Sequence, residues 1–433
     1  MRNPAEQITP IGELTKGLPP SSPAIDIAAV AGRGWNLLKE DLPLPVALLR
    51  QSALERNEAW MAAFRERSGI LMAPHGKTTM SPQLFERQLE AGCWAMTVGT
   101  VHQLRVCRSF GLKRIVLANQ LVGRAEIDYV LSELGRDPDF ELFCLVDSVA
   151  GVKLLADGAR RNPPGRPLKV LVEGGIAGGR TGCRTVEEAV EVARAVRESS
   201  PLLALRGVEG FEGLDAKASD EAIAGFIGHL VQIAEACDGK DLFSEDGPVL
   251  LSAGGSSYFD IVVDVFSRAR LSRPTQIVTR SGCYISMDSA MYVRAFERLF
   301  GRSPELGDLG PAPEAALEVW AYVQSRPEAD KVILTMGKRD VSHDVDLPVP
   351  LRWFRPGNDG EPQPIPQPIP PGHLVTGLND QHTHMTVPAD CPLRVGDMVA
   401  FGISHPCTTF DKWEILYVID DHYNVVDVLK TYF

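Results

Sequence analysis

The feature that most constrains the fold is a regular alternation between residues 45 and 285. Short apolar runs of strand length alternate there with longer stretches of helical period. There are eight such runs, at residues 69–73, 94–98, 114–118, 142–146, 169–173, 204–208, 249–252 and 276–280. Continuous apolar runs are typical of strands buried on both faces of a parallel sheet. Eight of them, each followed by a helix, predict a (β/α)8 TIM-type barrel.

Helix boundary signals support this count. Ser81 and Pro82 open one predicted helix, Thr100 opens another, and Thr185 with Glu188 has the spacing of a capping box. A doubly wound open sheet is the alternative fold. It requires a glycine-rich turn after its first strand, and "APHGKTTM" at residues 73–80 does not match G-x-G-x-x-G.

The chain is predicted to contain a second domain of a different class. Its 433 residues exceed the size at which one hydrophobic core stops growing. After residue 300, runs such as "DKVILTMG", "DMVAFGIS" and "WEILYVID" indicate strands joined by turns. We therefore predict an N-terminal extension at 1–40 with the β-domain as its candidate packing partner, the barrel at 41–300, and a C-terminal all-β domain at 301–433.

Composition excludes several classes of function. The formal net charge of −12 disfavours binding to nucleic acid. There is no apolar run of about 18 residues that would span a membrane, and no basic leader before an apolar stretch. The eight cysteines are scattered, so we expect reduced thiols. A cytoplasmic protein that binds a small molecule is the expectation.

The residues that follow the barrel strands are predicted to converge, because active sites of barrels lie at that end. They include Lys77, Arg180, Glu212 and the segments "SAGGSS" and "RSGCYISMD". Gly254 and Gly255 would let backbone amides approach a phosphate, with the Ser256 hydroxyl beside them. A tight glycine turn with a serine cap is the alternative. A phosphate site opposite a lysine predicts pyridoxal phosphate.

His405 and Cys407 form a candidate metal pair. Two residues apart on an extended strand, their side chains would point the same way. Imidazole and thiolate suit Zn2+, and two protein ligands leave positions for water or substrate. A packed histidine beside a buried free thiol is the alternative. His382 and His384 are also two apart, so His382 is a candidate substrate contact or third metal ligand, or else part of a surface pair.

Two stretches resemble a known family. "PHGKT" resembles the lysine motif of fold-type III, alanine-racemase-like pyridoxal-phosphate enzymes. The stretch at 395–428, which contains "SHPCTTF", is similar to the metal-binding end of the D-serine dehydratase and D-threonine aldolase family.

The resemblance implies roles for matched positions only. Lys77 would be the Schiff-base lysine, and Gly254, Gly255 and Ser256 would hold the cofactor phosphate. Arg180 would be the cationic partner of the cofactor ring, with a structural ion pair as its alternative role. Tyr284 would lie near the cofactor, with core filling as the alternative. His405 and Cys407 would bind the metal. The resemblance also implies a homodimer.

The predicted activity is a carbon–oxygen lyase of the D-serine ammonia-lyase type. It would use pyridoxal phosphate and Zn2+, with Mn2+ as the alternative metal, to convert a β-hydroxy D-amino acid into a 2-oxo acid and ammonia. D-Threonine aldolase chemistry is the first alternative. D-threo-3-Hydroxyaspartate and D-glucosaminate are alternative substrates, and a pyridoxal-phosphate-binding regulator is the non-enzyme alternative.

Overall fold

The structure is a computed structural model that describes residues 8–213, 219–245, 247–255, 257–357 and 365–433. Contacts between residues divide the chain into two units. The barrel unit consists of Ala62–Lys77 and Gln88–Gly282. The sheet unit consists of residues 8–61, Thr78–Arg87 and Cys283–Phe433.

The secondary structure follows the predicted change of class along the chain. The strands are β1 Val46–Arg50, β2 Leu71–Met72, β3 Met96–Val98, β4 Arg114–Gln120, β5 Glu141–Val146, β6 Leu168–Gly174, β7 Leu203–Gly210, β8 Val249–Ala253, β9 Thr275–Thr279, β10 Leu317–Glu328, β11 Lys331–Leu334, β12 Val349–Phe354, β13 Gln367–Pro368, β14 Leu374–Leu378, β15 Thr383–Thr386, β16 Met398–Gly402, β17 Ile415–Ile419 and β18 Val425–Lys430. The helices are α1 Gln51–Ser68, α2 Pro82–Glu90, α3 Val101–Ser109, α4 Arg124–Arg136, α5 Val149–Arg161, α6 Val186–Glu198, α7 Asp220–Asp238, α8 Phe259–Phe266, α9 Met291–Arg302 and α10 Cys407–Phe410.

The barrel unit confirms the predicted fold and its strand count. Its eight strands are parallel and pair in the order β2, β9, β8, β7, β6, β5, β4, β3. The ring closes because the Trp94 amide donates to the Met72 carbonyl and His75 bridges Thr97. The barrel core is a cluster of buried side chains from these strands: Ala73, Ala95, Val116, Phe143, Leu145, Leu171, Leu250 and Val278.

The predicted helix caps in the barrel unit are also present. Thr185 and Glu188 form a reciprocal capping box at the start of α6. The Thr100 side chain accepts a hydrogen bond from the Gln103 amide at the start of α3. These local bonds satisfy amide groups that the helix itself leaves unpaired, so each helix begins where its cap lies.

The sheet unit confirms the predicted all-β class of the C-terminal part. Its main sheet runs β13, β12, β16, β10, β1, β17, β18, and β11, β14 and β15 extend it from β10. Strand β1 lies at the centre, antiparallel to β10 and parallel to β17. Val46, Ala47, Leu48 and Leu49 are all buried there.

The division of the chain differs from the predicted boundaries at residues 41 and 300. The start of the expected barrel domain, residues 41–61, lies in the sheet unit because β1 completes the middle of that sheet. Helix α9 also belongs to the sheet unit, where Phe296 packs edge-on against Trp60 with ring centroids 5.3 Å apart. No described helix is both long enough and apolar enough to cross a membrane.

Candidate active site

In the barrel unit, Lys77 follows the first barrel strand. It lies in a short 3-10 helix, Gly76–Thr78, just beyond β2, and it is exposed. Among the described residues, no hydrogen bond or ion pair engages its amine. An exposed amine at the carboxyl end of a barrel strand is available to a bound molecule, as the sequence analysis expected.

His75 is a half-buried histidine two residues before Lys77. Its pKa is well below the usual histidine value because of burial, and the charges of Lys77, Arg280 and Arg180 add to the shift. The imidazole is therefore neutral at pH 7. Its Nδ1 atom is buried with no hydrogen-bond partner among the described residues. Such an unpaired buried atom is what a site awaiting a ligand would contain.

Arg180 lies in the loop after β6, which is the fifth barrel strand. Its guanidinium carbon is 4.9 Å from the centroid of the Phe211 ring, and the residue is exposed. No ion pair of Arg180 occurs among the described residues, so the structural ion pair considered as an alternative is not seen there. Its charge acts on His75, which places both residues at the same end of the barrel.

The predicted phosphate turn is built around a buried carboxylate. The amides of Gly254 and Gly255 donate to Glu212 at 3.1 and 2.5 Å. A side chain on residue 254 would meet the Phe211 ring at 2.4 Å, and Gly255 has a φ of +68°. Both positions therefore require glycine. Ser256, the third predicted member of the turn, lies outside the described residues.

Sequence reasoning placed Glu212 after its strand but did not predict its partners. Burial raises the pKa of Glu212, and the amide hydrogen bonds oppose the shift. The carboxylate holds both glycine amides on one side of the turn. Both glycine amides are thus bonded to Glu212, and this side chain sets the shape of the turn.

Arg280 is the first residue of the segment "RSGCYISMD" that was predicted to converge, but the sequence analysis gave it no role of its own. It directly follows the last barrel strand, and its side chain is 4% exposed. Its Nη2 atom lies 2.7 Å from Glu209 Oε2, and Nη1 donates to the Ser252 hydroxyl. A signal was available in the sequence, since an arginine directly after an apolar strand stands where barrels place functional groups.

In the sheet unit, His405 and Cys407 lie at one turn, but their geometry differs from the predicted one. They do not lie on a strand: β16 ends at Gly402, His405 has a φ of +62°, and Cys407 begins α10. A left-handed histidine is an uncommon conformation that requires support from its surroundings. The Asp288 carboxylate supplies it by accepting a hydrogen bond from the His405 amide at 3.0 Å.

The electrostatics of this pair favour a thiolate. Hydrogen bonds from Cys283 and then His405 lower the pKa of Cys407 well below the usual thiol value. The same contact with Cys407, followed by Asp344, raises the pKa of His405 to about 9. Asp344 Oδ2 lies 2.5 Å from His405 Nδ1. A carboxylate on one imidazole nitrogen is the usual support of a metal-binding histidine.

Two more side chains adjoin Cys407. Cys283 Sγ lies 3.6 Å from Cys407 Sγ, and Thr78 Oγ1 lies 3.4 Å from Cys407 Sγ. Thr78 is the residue after Lys77 in the chain. Cys283 was not predicted as a site residue, because nothing local in "SGCYI" indicates a partner that is 124 positions away.

His382 is not joined to this group by any contact recorded among the described residues. His382 is exposed and precedes β15, and only its carbonyl is bonded, by the Asn379 amide. His384 instead bonds the Asn379 side chain at 2.6 Å. Within the described ranges, no three histidine, cysteine or acidic side chains are placed so that they could hold a metal ion. Tyr284 is buried in the 3-10 helix Cys283–Ile285, with 6% of its surface exposed.

Known proteins with this architecture were compared with the chain. Residues 316–419 match the family described as "Putative serine dehydratase domain". The 3-hydroxy-D-aspartate aldolase of Paracoccus denitrificans (strain Pd 1222) is 26% identical over 335 residues, covering 75% of this chain and 78% of the relative.

Solved structures share the fold over nearly the whole chain. The D-threonine aldolase of Filomicrobium marinum superposes with a TM-score of 0.72 at 22% identity, covering 92% of this chain and 97% of that one. The D-threo-3-hydroxyaspartate dehydratase of Delftia sp. HT23, and a cysteine-to-alanine variant of such a dehydratase in a metal-free form, each give 0.69 at 20% identity, with 92% and 99% covered. The chain is thus similar to a serine-dehydratase domain over residues 316–419, and it shares the fold of a D-threonine aldolase and of D-threo-3-hydroxyaspartate dehydratases.

Proposed function

We propose that this chain is a lyase that uses pyridoxal phosphate and a divalent metal ion to dehydrate a β-hydroxy D-amino acid. The products would be a 2-oxo acid and ammonia. The observation that carries the proposal is that His405, whose Nδ1 atom lies 2.5 Å from Asp344 Oδ2, and Cys407 lie two residues apart at one turn. Similarity to a 3-hydroxy-D-aspartate aldolase and to a D-threo-3-hydroxyaspartate dehydratase supports a D-hydroxyamino acid as the class of substrate.

The residues of the barrel unit fit pyridoxal phosphate. Lys77 offers an unpaired amine, His75 offers an unpaired buried nitrogen, and Arg180 offers a positive charge. Neither Gly254 nor Gly255 can carry a side chain, so a bound phosphate could approach the backbone of this turn closely. In this proposal Lys77 holds the cofactor covalently, Arg180 faces its ring, and the turn holds its phosphate.

The residues of the sheet unit fit a soft or borderline metal ion. Thiolate and imidazole are ligands that Zn2+ prefers, and a carboxylate at position 407 would have favoured a harder ion such as Mn2+. Two protein ligands leave coordination positions for water and substrate. A zinc ion held by His405 and Cys407 would supply positive charge that stabilises a departing hydroxide.

The chain's own side chains would carry out the proton transfer. Bound pyridoxal phosphate supplies an electron sink for the charge that develops at the substrate Cα atom. Lys77, the one amine in the Gly76–Thr78 turn, would remove the Cα proton. Glu212 would keep the glycine turn in shape, so the position of the phosphate fixes that of the reacting carbon relative to Lys77.

Aldol cleavage is the second candidate function. The Paracoccus relative is an aldolase, and so is the solved Filomicrobium protein. Cleavage between Cα and Cβ requires a base at the β-hydroxyl instead of a metal-stabilised leaving oxygen. Cys407 is the reason for preferring dehydration, because its thiolate selects the softer metal.

D-Serine, D-threonine, D-threo-3-hydroxyaspartate and D-glucosaminate all satisfy the proposed chemistry. A cytoplasmic homodimer remains a prediction, and sedimentation of the purified protein would test its oligomeric part. A regulator that binds pyridoxal phosphate without turnover would not need the His405–Cys407 pair.

The test is a substrate screen of the purified full-length protein loaded with pyridoxal phosphate and either Zn2+ or Mn2+. Each of the four D-amino acids is assayed separately for ammonia with 2-oxo acid and for glycine with aldehyde. Dehydration predicts ammonia with Zn2+, and its loss on chelation. Glycine and aldehyde would establish the aldolase, and no product under any condition would favour the regulator.

Matched variants assign the activity to the proposed residues. Lys77→Ala should abolish turnover, and Cys407→Ala should abolish the metal-dependent part. Cys144→Ala is the control for removal of a thiol, because Cys144 is fully buried in barrel strand β5. Equal loss of activity in Cys407→Ala and Cys144→Ala would remove the metal pair from the proposal.

A further inference from the structure

Cys283 and Cys407 are two thiols held side by side in the sheet unit. Their sulfur atoms are 3.6 Å apart, and each cysteine is the first residue of a short helix. The Thr78 hydroxyl lies 3.6 Å from the first sulfur and 3.4 Å from the second. The proposed lyase reaction uses Cys407 but leaves Cys283 without a function.

The two sulfurs differ in their access to solvent. Cys407 is partly exposed, whereas Cys283 is 5% exposed. Cys407 is therefore the more accessible of the two cysteines to a small oxidant in solution. A disulfide bond has a length of about 2.05 Å, so closing this pair requires the sulfurs to approach by about 1.5 Å.

We propose that Cys283 and Cys407 are a reversible oxidation site that peroxide converts into a disulfide. The Cys407 sulfur attacks one oxygen of hydrogen peroxide, the O–O bond breaks, and the second oxygen leaves as water after taking up a proton. Cys407 is then a sulfenic acid. The Cys283 sulfur attacks it, the S–O bond breaks, and a second water leaves with the Cys283 proton.

The reaction balances in atoms and electrons. Two thiols lose two hydrogens and two electrons in total, and one peroxide is reduced to two waters. A dithiol reductant restores both thiols by exchange. Cys283 thus acts as the resolving thiol, which captures the sulfenic acid before a second peroxide can oxidise it irreversibly.

Oxidation would also remove Cys407 from metal binding, because a disulfide sulfur is no longer a thiolate ligand. This consequence rests on the proposed function, whereas the disulfide itself does not.

The test uses the reduced full-length protein, treated with increasing hydrogen peroxide and then alkylated. Free thiols should fall from eight to six, and peptide mapping without reductant should find Cys283 joined to Cys407. Dithiothreitol should restore all eight thiols. Oxidation of Cys407 without this cross-link would overturn the proposal.

Two variants test whether Cys283 resolves the sulfenic acid of Cys407. In Cys283→Ser, peroxide should carry Cys407 to the sulfinic acid, which dithiothreitol does not reverse. Cys144→Ser should behave as the wild type does. If Cys283→Ser recovers fully on reduction, Cys283 does not resolve the sulfenic acid, and the proposal is refuted.

Zinc binding to the oxidised protein, measured by equilibrium dialysis, distinguishes this proposal from the proposed function. Loss of zinc binding on oxidation and its return on reduction would support both. A cross-linked protein that still binds zinc would support the oxidation site and count against Cys407 as a ligand.

Discussion

Replacing Glu212 tests the structure of the predicted phosphate turn. The Glu212 carboxylate is buried and accepts hydrogen bonds from the amides of Gly254 and Gly255. Glu212→Gln preserves the size of the side chain but removes the charge, and it turns an NH2 donor towards one of the two amides. One amide keeps an acceptor, and the other loses it.

The magnitude follows from the hydrogen bonds lost. A hydrogen bond to a charged group contributes about 1.5–3 kcal/mol, and a buried donor without a partner costs about 1–3 kcal/mol. The substitution forfeits one such bond and weakens the second. We expect the free energy of unfolding to fall by about 3 kcal/mol, and the dissociation constant for pyridoxal phosphate to rise about tenfold or more as the amides turn away.

Urea unfolding measures the first quantity, and quenching of protein fluorescence by added pyridoxal phosphate measures the second. Glu133→Gln is the matched control, since Glu133 is a buried glutamate of the same unit that pairs with Arg108 and Arg136 on a helix. It should reduce stability while leaving cofactor affinity unchanged. Wild-type affinity in Glu212→Gln would refute the assignment of the turn.

Three further predictions concern buried or paired charges. Burial raises the pKa of Glu209 to about 7, so Arg280→Met leaves a buried carboxyl that takes up a proton instead of staying charged, and we expect the free energy of unfolding in urea to fall by about 1–3 kcal/mol. Most of this loss should be recovered when Glu209→Met is added. An unchanged free energy of unfolding would contradict the ion pair. Burial and neighbouring cations lower the pKa of His75. Below a pH of about 6.5, the unfolded chain therefore takes up a proton on this imidazole that the folded chain does not. The free energy of unfolding should fall by up to about 1.4 kcal/mol for each pH unit that the pH drops. In His75→Gln, this part of the pH dependence of stability should be absent. If the stability of the variant falls with pH as steeply as that of the wild type, His75 is not the cause. Because the pKa of His405 is about 9, its imidazole is protonated at pH 7 and should release about one proton for each zinc ion bound. Calorimetry in buffers of different ionisation enthalpy measures this release. Zinc binding without proton release would contradict the imidazolium–thiolate pair.

The barrel could be predicted from the sequence because the signals for its strands and helix ends lie within short stretches of the chain. Each strand is one short apolar run, and the helices carry their own caps, as at Thr185 and Glu188. The boundary at residue 41 could not be predicted in the same way. Strand β1 has the same apolar texture as a barrel strand, and only its pairing with β10 and β17 assigns it to the other sheet.

In the candidate site, too, local features could be predicted from the sequence and long-range contacts could not. Lys77 and the glycines at 254 and 255 follow strands directly, so their positions could be predicted from the fold. Glu212 meets the glycine amides across 42 residues, and Cys283 meets Cys407 across 124. No spacing rule connects residues so far apart, because only the closed tertiary structure brings them together.

His405 and Cys407 were predicted as a metal pair from strand geometry, which is not the geometry that the structure has. Strand alternation would have aligned His405 with Cys407, yet the chain turns at His405 through a left-handed conformation instead. The pair forms because Asp288 holds the backbone of that turn and Asp344 holds the imidazole. Neither carboxylate is adjacent to the motif, so the sequence pattern could indicate the two ligands but not their support.

The central claim is that Lys77 holds pyridoxal phosphate covalently. The most direct measurement is reduction of the cofactor-loaded protein with borohydride, followed by proteolysis and mass spectrometry to locate the pyridoxyl group. We predict that one equivalent is attached to Lys77. Attachment to other lysines, or no attachment at all, would contradict the claim.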